Sequence, residues 1–362
     1  MARIELRDIT HIYNQGKKET CALHGLNLVF EDGVAGALLG PSGCGKTTLL
    51  NILSGLVRPT SGRVFFGDRD VTDLPTENRN IAQLFQFPVV YDSMNVYDNL
   101  AFPLRNRKIS ETDVDTRVQE IAELLDLSNV LSLRPKQLGP GERQLVALGR
   151  GVVRKDTDVI LLDEPMTQID PHKRWFLRRK LCKVQSKLGV TMIYVTHDQY
   201  EALTFAEKVA VMRDGQVIQA GGPEDLYDNP QSPFIGYFVG TPGMNLLDCT
   251  VQGGKLLFHD FHLDLSNSSI AIPLTEGEKL LFGIRPEFVH CSPSERSDWI
   301  STKVKLIENM GEYWVLTLQI GVTLIKCRTS KEYSYAEGQD VWAGLLSEAG
   351  KAKIYRNNKL VS

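Results

Sequence analysis

Long apolar runs, paired cysteines and an excess of either charge are all missing from this sequence. No apolar run approaches the roughly 18 residues that a membrane-spanning helix needs, and the start of the chain lacks the features of a secretory signal peptide. The six cysteines contain no Cys-x-x-Cys pair, which argues against a disulfide framework or a zinc site and predicts free thiols in a reducing compartment. A net charge of -3 gives no sign of a nucleic-acid binder.

The strongest motif present is a glycine-rich loop at residues 40–47, Gly-Pro-Ser-Gly-Cys-Gly-Lys-Thr. Its spacing, with Lys46 and Thr47 at the end, is that of a phosphate-binding loop. An apolar run at 35–39 predicts a buried strand before the loop, and residues 48–53 predict a helix after it. Glycines let backbone N–H groups approach phosphate oxygens, and a helix N-terminus favours negative charge. We therefore expect Lys46 to reach the β- and γ-phosphates and Thr47 to hold Mg²⁺.

Two carboxylates and a histidine follow later strand patterns. The apolar residues 159–162 lead into Asp163 and Glu164, and the run 190–196 leads into His197. In an open α/β sheet, ligands bind at the carboxyl ends of the strands. We expect Asp163 to hold Mg²⁺ and Glu164 to orient and deprotonate the attacking water. A lone histidine is usually structural, but the position of His197 favours a role beside the γ-phosphate.

An irregular apolar and aromatic stretch occupies residues 87–98, after a predicted strand at Asn80–Gln86. An exposed patch of this kind favours contact with a partner, and the alternative is that it folds onto its own domain. Further on, Ser110 and Asp113 resemble a capping box, and apolar residues follow at helical spacing. These patterns predict an all-helical insert in an α/β domain.

Tyr13 lies shortly before the phosphate loop, where an aromatic ring can stack on a purine. A surface tyrosine at a strand end is an equally good interpretation of the sequence alone.

Beyond about Gly240 the helical patterns disappear and short strand patterns between turn residues replace them. These runs cover residues 279–284, 302–307, 313–318, 322–327 and 340–345. They predict a small all-β, barrel-like domain.

The phosphate loop, Gln86, Asp163-Glu164 and His197 resemble, in order and spacing, the ATP-binding subunit of ABC transporters. The resemblance covers the whole chain and implies an α/β P-loop NTPase fold followed by a small all-β, OB-like regulatory domain. The implied domains are an ABC nucleotide-binding domain at 1–240, with a helical subdomain at about 87–155, and a regulatory β-barrel at 241–362.

Two further stretches narrow the resemblance. Residues 282–287, Phe-Gly-Ile-Arg-Pro-Glu, are similar to the regulatory domain of the sugar-importer branch, of the maltose and glycerol-phosphate type. Residues 80–107, together with Thr-Pro-Gly-Met-Asn at 241–245, look most like one of two ATPase subunits of bacterial glycerol importers. The resemblance therefore implies a motor subunit for the import of glycerol, another polyol or a sugar.

The resemblance also implies a role for each site residue. Tyr13 would stack on adenine, Gln86 would sense the γ-phosphate and touch Mg²⁺ or the water, and His197 would hold the γ-phosphate. The expected catalytic residues are Glu164, His197, Gln86 and Lys46, and the expected metal ligands are Thr47, Gln86 and Asp163. The other residues expected to contact ATP are Gly40, Pro41, Ser42, Gly43, Cys44, Gly45, Thr48 and Gly141.

One segment departs from the family pattern. Where the family has Leu-Ser-Gly-Gly-Gln, whose donors grip the ATP of the opposite subunit, this chain has Leu138-Gly139-Pro140-Gly141-Glu142. The serine hydroxyl is gone, Pro140 has no N–H, and Glu142 adds a negative charge. The departure favours a heterodimer, in which a different chain supplies the intact face, over a homodimer; the alternative is that this branch tolerates a loose segment.

The expected partners follow from the same resemblance. They are transmembrane permease subunits that contact residues 87–98, a second ATPase subunit and, indirectly, a solute-binding protein, but no nucleic acid. The chain would then lie on the cytoplasmic face of the inner membrane as a peripheral subunit. The rival hypothesis is a non-hydrolysing nucleotide-binding subunit that regulates an active partner.

Overall fold

Two compact units, Met1–Pro223 and Glu224–Ser362, make up the chain. The computed structural model describes residues 2–15, 18–265, 273 and 275–361.

Ten strands in the first unit form two sheets. In chain order they are β1 Ile4–Gln15, β2 Lys18–Phe30, β3 Ala35–Leu39, β4 Ser61–Phe66, β5 Arg69–Asp70, β6 Ile81–Leu84, β7 Val159–Asp163, β8 Thr191–Thr196, β9 Lys208–Arg213 and β10 Gln216–Gly221. One sheet is antiparallel, in the order β2-β1-β4-β5. The other has the order β10-β9-β3-β8-β7-β6 and is parallel except for the pair β9/β10. The parallel strands place the carboxyl ends of β3, β7 and β8 at one edge, as an α/β fold requires.

Six helices complete the first unit. They are α1 Lys46–Ser54, α2 Val96–Arg105, α3 Glu111–Leu125, α4 Pro140–Val152, α5 Pro171–Leu188 and α6 Gln199–Phe205, with 3-10 turns at Thr76–Asn78, Ser128–Val130 and Pro135–Gln137. The predicted capping box is confirmed at α3, where the Ser110 side chain accepts a hydrogen bond from the Asp113 N–H. Asp214 and Gly215 join β9 to β10 in a tight hairpin, and both residues have positive φ.

The main core of the first unit lies between its two sheets and is filled by one side of α1. Ile4, Phe30, Leu49, Leu53 and Ile193 are fully buried there. All five residues of β3 are buried, as expected for a strand in the middle of a parallel sheet. This packing fixes the strand and the helix between which the glycine-rich loop is held.

The second unit is an all-β domain that two short helices precede. Its elements are α7 Pro223–Asp228, α8 Pro233–Phe238, β11 Asn245–Gln252, β12 Lys255–Leu257, β13 His262–Asp264, β14 Lys279–Ile284, β15 His290–Ser292, β16 Ile300–Asn309, β17 Trp314–Ile320, β18 Thr323–Thr329, β19 Asp340–Gly344, β20 Lys353–Arg356 and β21 Lys359–Leu360, with a 3-10 turn at Pro286–Phe288. The strands form two antiparallel sheets, β13-β12-β11-β14-β20-β21 and β15-β19-β16-β17-β18. All five strand patterns predicted beyond Gly240 fall on observed strands.

Arg285 ties the two short helices to this β domain. Its side chain is almost fully buried and donates hydrogen bonds to the backbone oxygens of Tyr227 and Val239. Its guanidinium also lies 3.7 Å from the centre of the Tyr227 ring. The compact unit therefore begins at Glu224, and the functional boundary at residue 240 remains a prediction.

Candidate functional site

The glycine-rich loop connects β3 to α1 with the backbone that its glycines allow. Gly43 and Gly45 have φ values of 82° and 101°, a region that side chains other than glycine's disfavour. Gly40 is needed for space, since a Cβ there would lie 2.3 Å from the backbone oxygen of Met212. The loop thus curls over the start of α1, which is the form that a phosphate cradle requires.

Lys46 is buried beneath this loop. Its Nζ donates to the backbone oxygens of Gly40 and Pro41 at 2.7 and 2.9 Å, and it lies 3.6 Å from Cys44 Sγ. Ser42 and Thr47, by contrast, are exposed on the outer side of the loop. The predicted lysine therefore lies at the loop, with its charge against backbone carbonyls.

Tyr13 on β1 reaches the start of α1. Its hydroxyl lies 3.3 Å from Thr48 Oγ1, and its ring meets the edge of the His11 ring at 4.4 Å. The structure therefore brings Tyr13 beside the first turn of α1, directly after the phosphate-binding loop. The alternative interpretation, a surface tyrosine at a strand end, does not describe its position, because Tyr13 lies within β1, two residues before the strand ends at Gln15.

Asp163 ends β7, beside the register partner Val195 on β8. Burial raises the pKa of its carboxyl, the neighbouring charge of Glu164 raises it further, and Lys46 acts in the opposite direction. The charges of Asp163 and Lys46 therefore lie close enough to interact.

Glu164 and His197 form a hydrogen-bonded pair at the ends of β7 and β8. Glu164 Oε1 lies 3.0 Å from His197 Nδ1, and the hydroxyl of Thr167 lies 3.2 Å from Glu164 Oε2. The backbone of Glu164 has a φ of 44° and donates its N–H to Val195 O at 3.0 Å. A left-handed conformation costs a residue with a side chain about 1–3 kcal/mol. The fold thus holds this carboxylate in a strained, defined position.

Gln86 is not brought into hydrogen-bond contact with this cluster. The predicted strand at Asn80–Gln86 is wrong at both ends, because β6 covers Ile81–Leu84 only. Beyond Leu84 the pairing with β7 stops and the side chain of Phe85 turns towards solvent. Among the described residues, none forms a hydrogen bond with the Gln86 side chain.

The first part of the stretch 87–98 is held by its backbone and exposes apolar side chains, whereas Val96 is fully buried and begins α2. Phe87 and Val89 are 63% and 53% exposed. The buried side chain of Asn99 accepts from Tyr91 N–H at 2.8 Å and donates to Tyr91 O at 3.0 Å. Arg150 on α4 donates to Val89 O, and its guanidinium lies 4.2 Å from the Tyr91 ring centre. Sequence reasoning missed Asn99 and Arg150, because nothing local to either residue marks these long-range contacts.

The segment Leu138–Glu142 forms the start of α4. Gly139 is the cap, Pro140 is the first helical residue, and Gly141 follows in the first turn. Glu142 Oε2 accepts a hydrogen bond from the Gly139 N–H at 2.8 Å, as in a capping box. Pro140 costs the helix nothing here, because the first N–H groups of a helix have no partner within it. The carboxylate of Glu142 thus lies at the positive end of its own helix.

Two kinds of feature, a protein-only metal site and a membrane-spanning helix, are not found among the described residues. Within the described part of the chain, no group of three or more His, Cys, Asp or Glu side chains is arranged to hold a metal ion. No described helix combines the length and the apolar character needed to cross a membrane. All six cysteines have free thiols.

Comparison with known proteins matches both units. The family model for ABC transporters matches residues 23–167, and the model for the MalK OB fold domain matches residues 240–289. The trehalose/maltose import ATP-binding protein MalK of Thermococcus litoralis is 39% identical over 94% of each chain. The sn-glycerol-3-phosphate import ATP-binding protein UgpC of Psychromonas ingrahamii is 41% identical over 86% of this chain and 80% of its own.

A solved structure supports the same fold. The ATP-binding cassette MJ0796, in a dimeric post-hydrolysis state bound to ADP and Pi, aligns with a TM-score of 0.54 at 28% identity. The alignment covers 61% of this chain and 98% of that cassette.

Proposed function

The chain belongs to the family of ABC transporter ATP-binding subunits, ATPases that drive transport, and from this premise we propose that it powers import of a sugar, a glycerol phosphate or a polyol such as glycerol. The names of the relatives MalK and UgpC support a solute of this class. Glycerol itself is supported by the resemblance of residues 80–107 and 241–245 alone. The ATPase does not select the solute, because selectivity lies with the binding protein and the membrane subunits.

The observation that carries the proposal is the pair of Glu164 and His197 beside the phosphate-binding loop. A carboxylate held 3.0 Å from an imidazole is oriented and limited to few conformations, as a general base must be. Glu164 takes the proton of the water that attacks the γ-phosphate. His197 holds Glu164 and contacts the γ-phosphate, and Lys46 offsets the negative charge of the phosphates.

A divalent cation fits the residues present. The Asp163 carboxyl is half-buried, and the charges of Glu164 and Lys46 both act on it, so a cation there would relieve the repulsion between the two carboxylates. Mg²⁺ is commonly held by one or two protein side chains together with substrate phosphates and water. Asp163, Thr47 and Gln86 would hold Mg²⁺, which would neutralise charge on the phosphates.

Tyr13 is assigned to the adenine. The contact of its hydroxyl with Thr48 sets the ring beside the loop that holds the phosphates. Stacking on a base tolerates any purine, so Tyr13 contributes affinity and little selectivity.

The rival hypothesis of a non-hydrolysing regulatory subunit gains no support. Such a subunit has no need of a strained Glu164 bonded to His197 and Thr167. A chain that only binds nucleotide would need the phosphate-binding loop but not a general base at Glu164.

The decisive experiment is Glu164→Gln in the full chain within its transporter. Loss of a positioned general base costs about 10²–10⁴-fold in rate, so turnover should fall by that factor while ATP affinity stays close to wild type. Glu123→Gln, which neutralises an exposed carboxylate on α3, is the control and should leave both unchanged. Equal turnover of wild type and Glu164→Gln would refute the assignment.

The proposed assembly is a heterodimer of ATPase subunits on permease subunits that contact residues 87–98, at the cytoplasmic face of the membrane. Glu142 at the start of α4 would repel a γ-phosphate presented by a partner, so a second chain is proposed to supply the competent face. ATP hydrolysis by the purified chain, measured against protein concentration, tests the pairing. Activity that rises faster than linearly and vanishes in Glu164→Gln would show a working homodimer and overturn this part of the proposal.

A further inference from the structure

Helix α5 carries an unusual concentration of positive charge. Its 18 residues, Pro171–Leu188, include seven Lys or Arg residues and no Asp or Glu. The chain as a whole has a net charge of -3, so this charge is a local feature and does not reflect the bulk composition. At about 1.5 Å per residue the helix is about 27 Å long.

The helix has one buried side and one exposed side. Leu177, Leu181 and Val184 are buried against the rest of the unit. His172, Phe176, Arg179, Lys183 and Lys187 follow at helical spacing on the opposite side, and all are exposed. The exposed side is therefore a convex ridge that runs the length of the helix, and we call these five residues with Lys173 and Trp175 the α5 ridge.

Most of the charge on the ridge is not neutralised. Lys180, which lies on the same side of the helix between Lys173 and Lys187, forms an ion pair with Asp126, and Arg174, which lies off the ridge, is 3.7 Å from Glu201. Lys173, Arg179, Lys183 and Lys187 form no ion pair with any residue that the structure describes. Four cations thus project from one side of the helix without an ion-pair partner among the described residues, and Lys187 has only a longer-range charge interaction with Glu120.

Aromatic side chains accompany these cations. Trp175 and Phe176 are 45% and 65% exposed, and their ring centres lie 5.0 Å apart. Arg179 lies 4.7 Å above the Trp175 ring. On the neighbouring helix α6, Tyr200 is 61% exposed, with Arg178 4.8 Å above its ring. Burying such rings against a partner is favourable, whereas leaving them in water has no benefit for the fold.

We propose that the α5 ridge docks directly on an anionic phospholipid surface, as a contact separate from the permease. Basic side chains alternating with Trp and Phe are typical of helices that bind the interface of anionic membranes. Lys supplies three of the four unpaired cations, and Lys is depleted in protein–protein interfaces. A convex ridge also suits a deformable headgroup layer better than it suits a peptide, which needs a groove. The contact does not depend on ATP hydrolysis, so it can fail while the proposed function holds.

Vesicle sedimentation of the full chain tests this inference. The chain should bind vesicles of equimolar phosphatidylglycerol and phosphatidylcholine, bind pure phosphatidylcholine vesicles far less, and dissociate as salt rises, because screening weakens the attraction. A basic residue near an anionic membrane contributes about fivefold in affinity. The double variant Lys183→Gln/Lys187→Gln should therefore lower the partition coefficient on the order of 25-fold.

A matched control removes the same charge elsewhere. Lys305→Gln/Lys331→Gln neutralises two exposed lysines of the second unit and should leave binding unchanged. Trp175→Ala/Phe176→Ala should weaken binding without changing its salt dependence, and circular dichroism confirms that each variant is folded. Equal effects of the two lysine pairs, equal binding to both kinds of vesicle, or no binding to anionic vesicles would each overturn the proposal; the last result would point to an acidic protein as the partner.

Discussion

Arg79 offers a sharp test of how the phosphate-binding helix is held. Its side chain is 1% exposed and donates to four backbone oxygens. Two belong to the last turn of α1, Ile52 at 2.7 Å and Leu53 at 3.0 Å. The other two, Thr72 and Leu74, lie in the segment before β6, each at 2.9 Å. One guanidinium therefore caps the negative end of α1 and ties it to the chain that leads towards Gln86.

Arg79→Met keeps the apolar part of the side chain and removes every donor. A buried polar group left without a partner costs about 1–3 kcal/mol, and some of the four oxygens will gain water in place of the guanidinium. Burial lowers the pKa of Arg79 to about 10, so removing the charge returns part of its desolvation cost. We therefore expect a net loss of about 3–5 kcal/mol of unfolding free energy, which is well below the sum of the separate costs of four unpaired oxygens.

Urea unfolding followed by far-ultraviolet circular dichroism measures this loss, because α1–α6 all lie in the first unit. The matched control is Arg58→Met, since the Arg58 side chain is 72% exposed in the neighbouring loop and should change stability by less than about 0.5 kcal/mol. ATP affinity should also fall in Arg79→Met, because the helix that carries the phosphate loop is released. If Arg79→Met and Arg58→Met are equally stable, the argument from the four hydrogen bonds is wrong.

Three further predictions concern the nucleotide site. Tyr13→Ala should raise KM for ATP by up to about tenfold, from about 0.5–1.5 kcal/mol of stacking, whereas Tyr13→Phe should leave it nearly unchanged in steady-state assays. Mg²⁺-dependent nucleotide binding should weaken as pH falls through the raised pKa of Asp163. Glu164→Gln removes the neighbouring charge and should move the midpoint of this pH dependence to lower pH. The same midpoint in wild type and Glu164→Gln would show that the charge of Glu164 does not raise the pKa of Asp163. Glu142→Gln should raise ATP hydrolysis by the chain alone about tenfold or more. This factor corresponds to the lower end of the roughly 1.5–3 kcal/mol that a hydrogen bond to a charged group contributes, because glutamine can donate such a bond to the γ-phosphate. An unchanged rate would show that Glu142 does not limit hydrolysis by the homodimer.

Part of the site could be predicted from the sequence because its signals are local. Strand patterns ending in Asp163-Glu164 and in His197, together with the glycine-rich loop, are read over a few residues each. The rule that ligands bind at the carboxyl ends of parallel strands then brings them to one edge, and the register of β3, β7 and β8 confirms that edge.

Other features could not be predicted because they depend on contacts between distant parts of the chain. No local pattern distinguishes Arg79 from the other arginines, because its role depends on contact with α1. Asn99 likewise looks like an ordinary polar helix residue, because its role depends on contact with the backbone of Tyr91. β6 ends before Gln86, because its pairing with β7 stops at Leu84 although β7 runs on to Asp163. Such positions are defined by tertiary packing, which local sequence patterns do not reveal.

The charge of Glu142 has opposite effects on its own helix and on binding across the subunit interface. In the sequence its charge is only a defect in a face that should bind the phosphate of another subunit. In the structure the same carboxylate accepts the Gly139 N–H, and a contact of this kind contributes about 0.3–1.5 kcal/mol to its helix, with a further gain from charge at the positive helix end. A phosphate arriving from a partner would have to displace this carboxylate or lie against it, so local helix stability and binding across the interface oppose each other. The conflict does not reduce activity if the partner's nucleotide site, which faces Glu142, is not used for hydrolysis. In a homodimer both sites would face a Glu142, so the conflict favours a heterodimer.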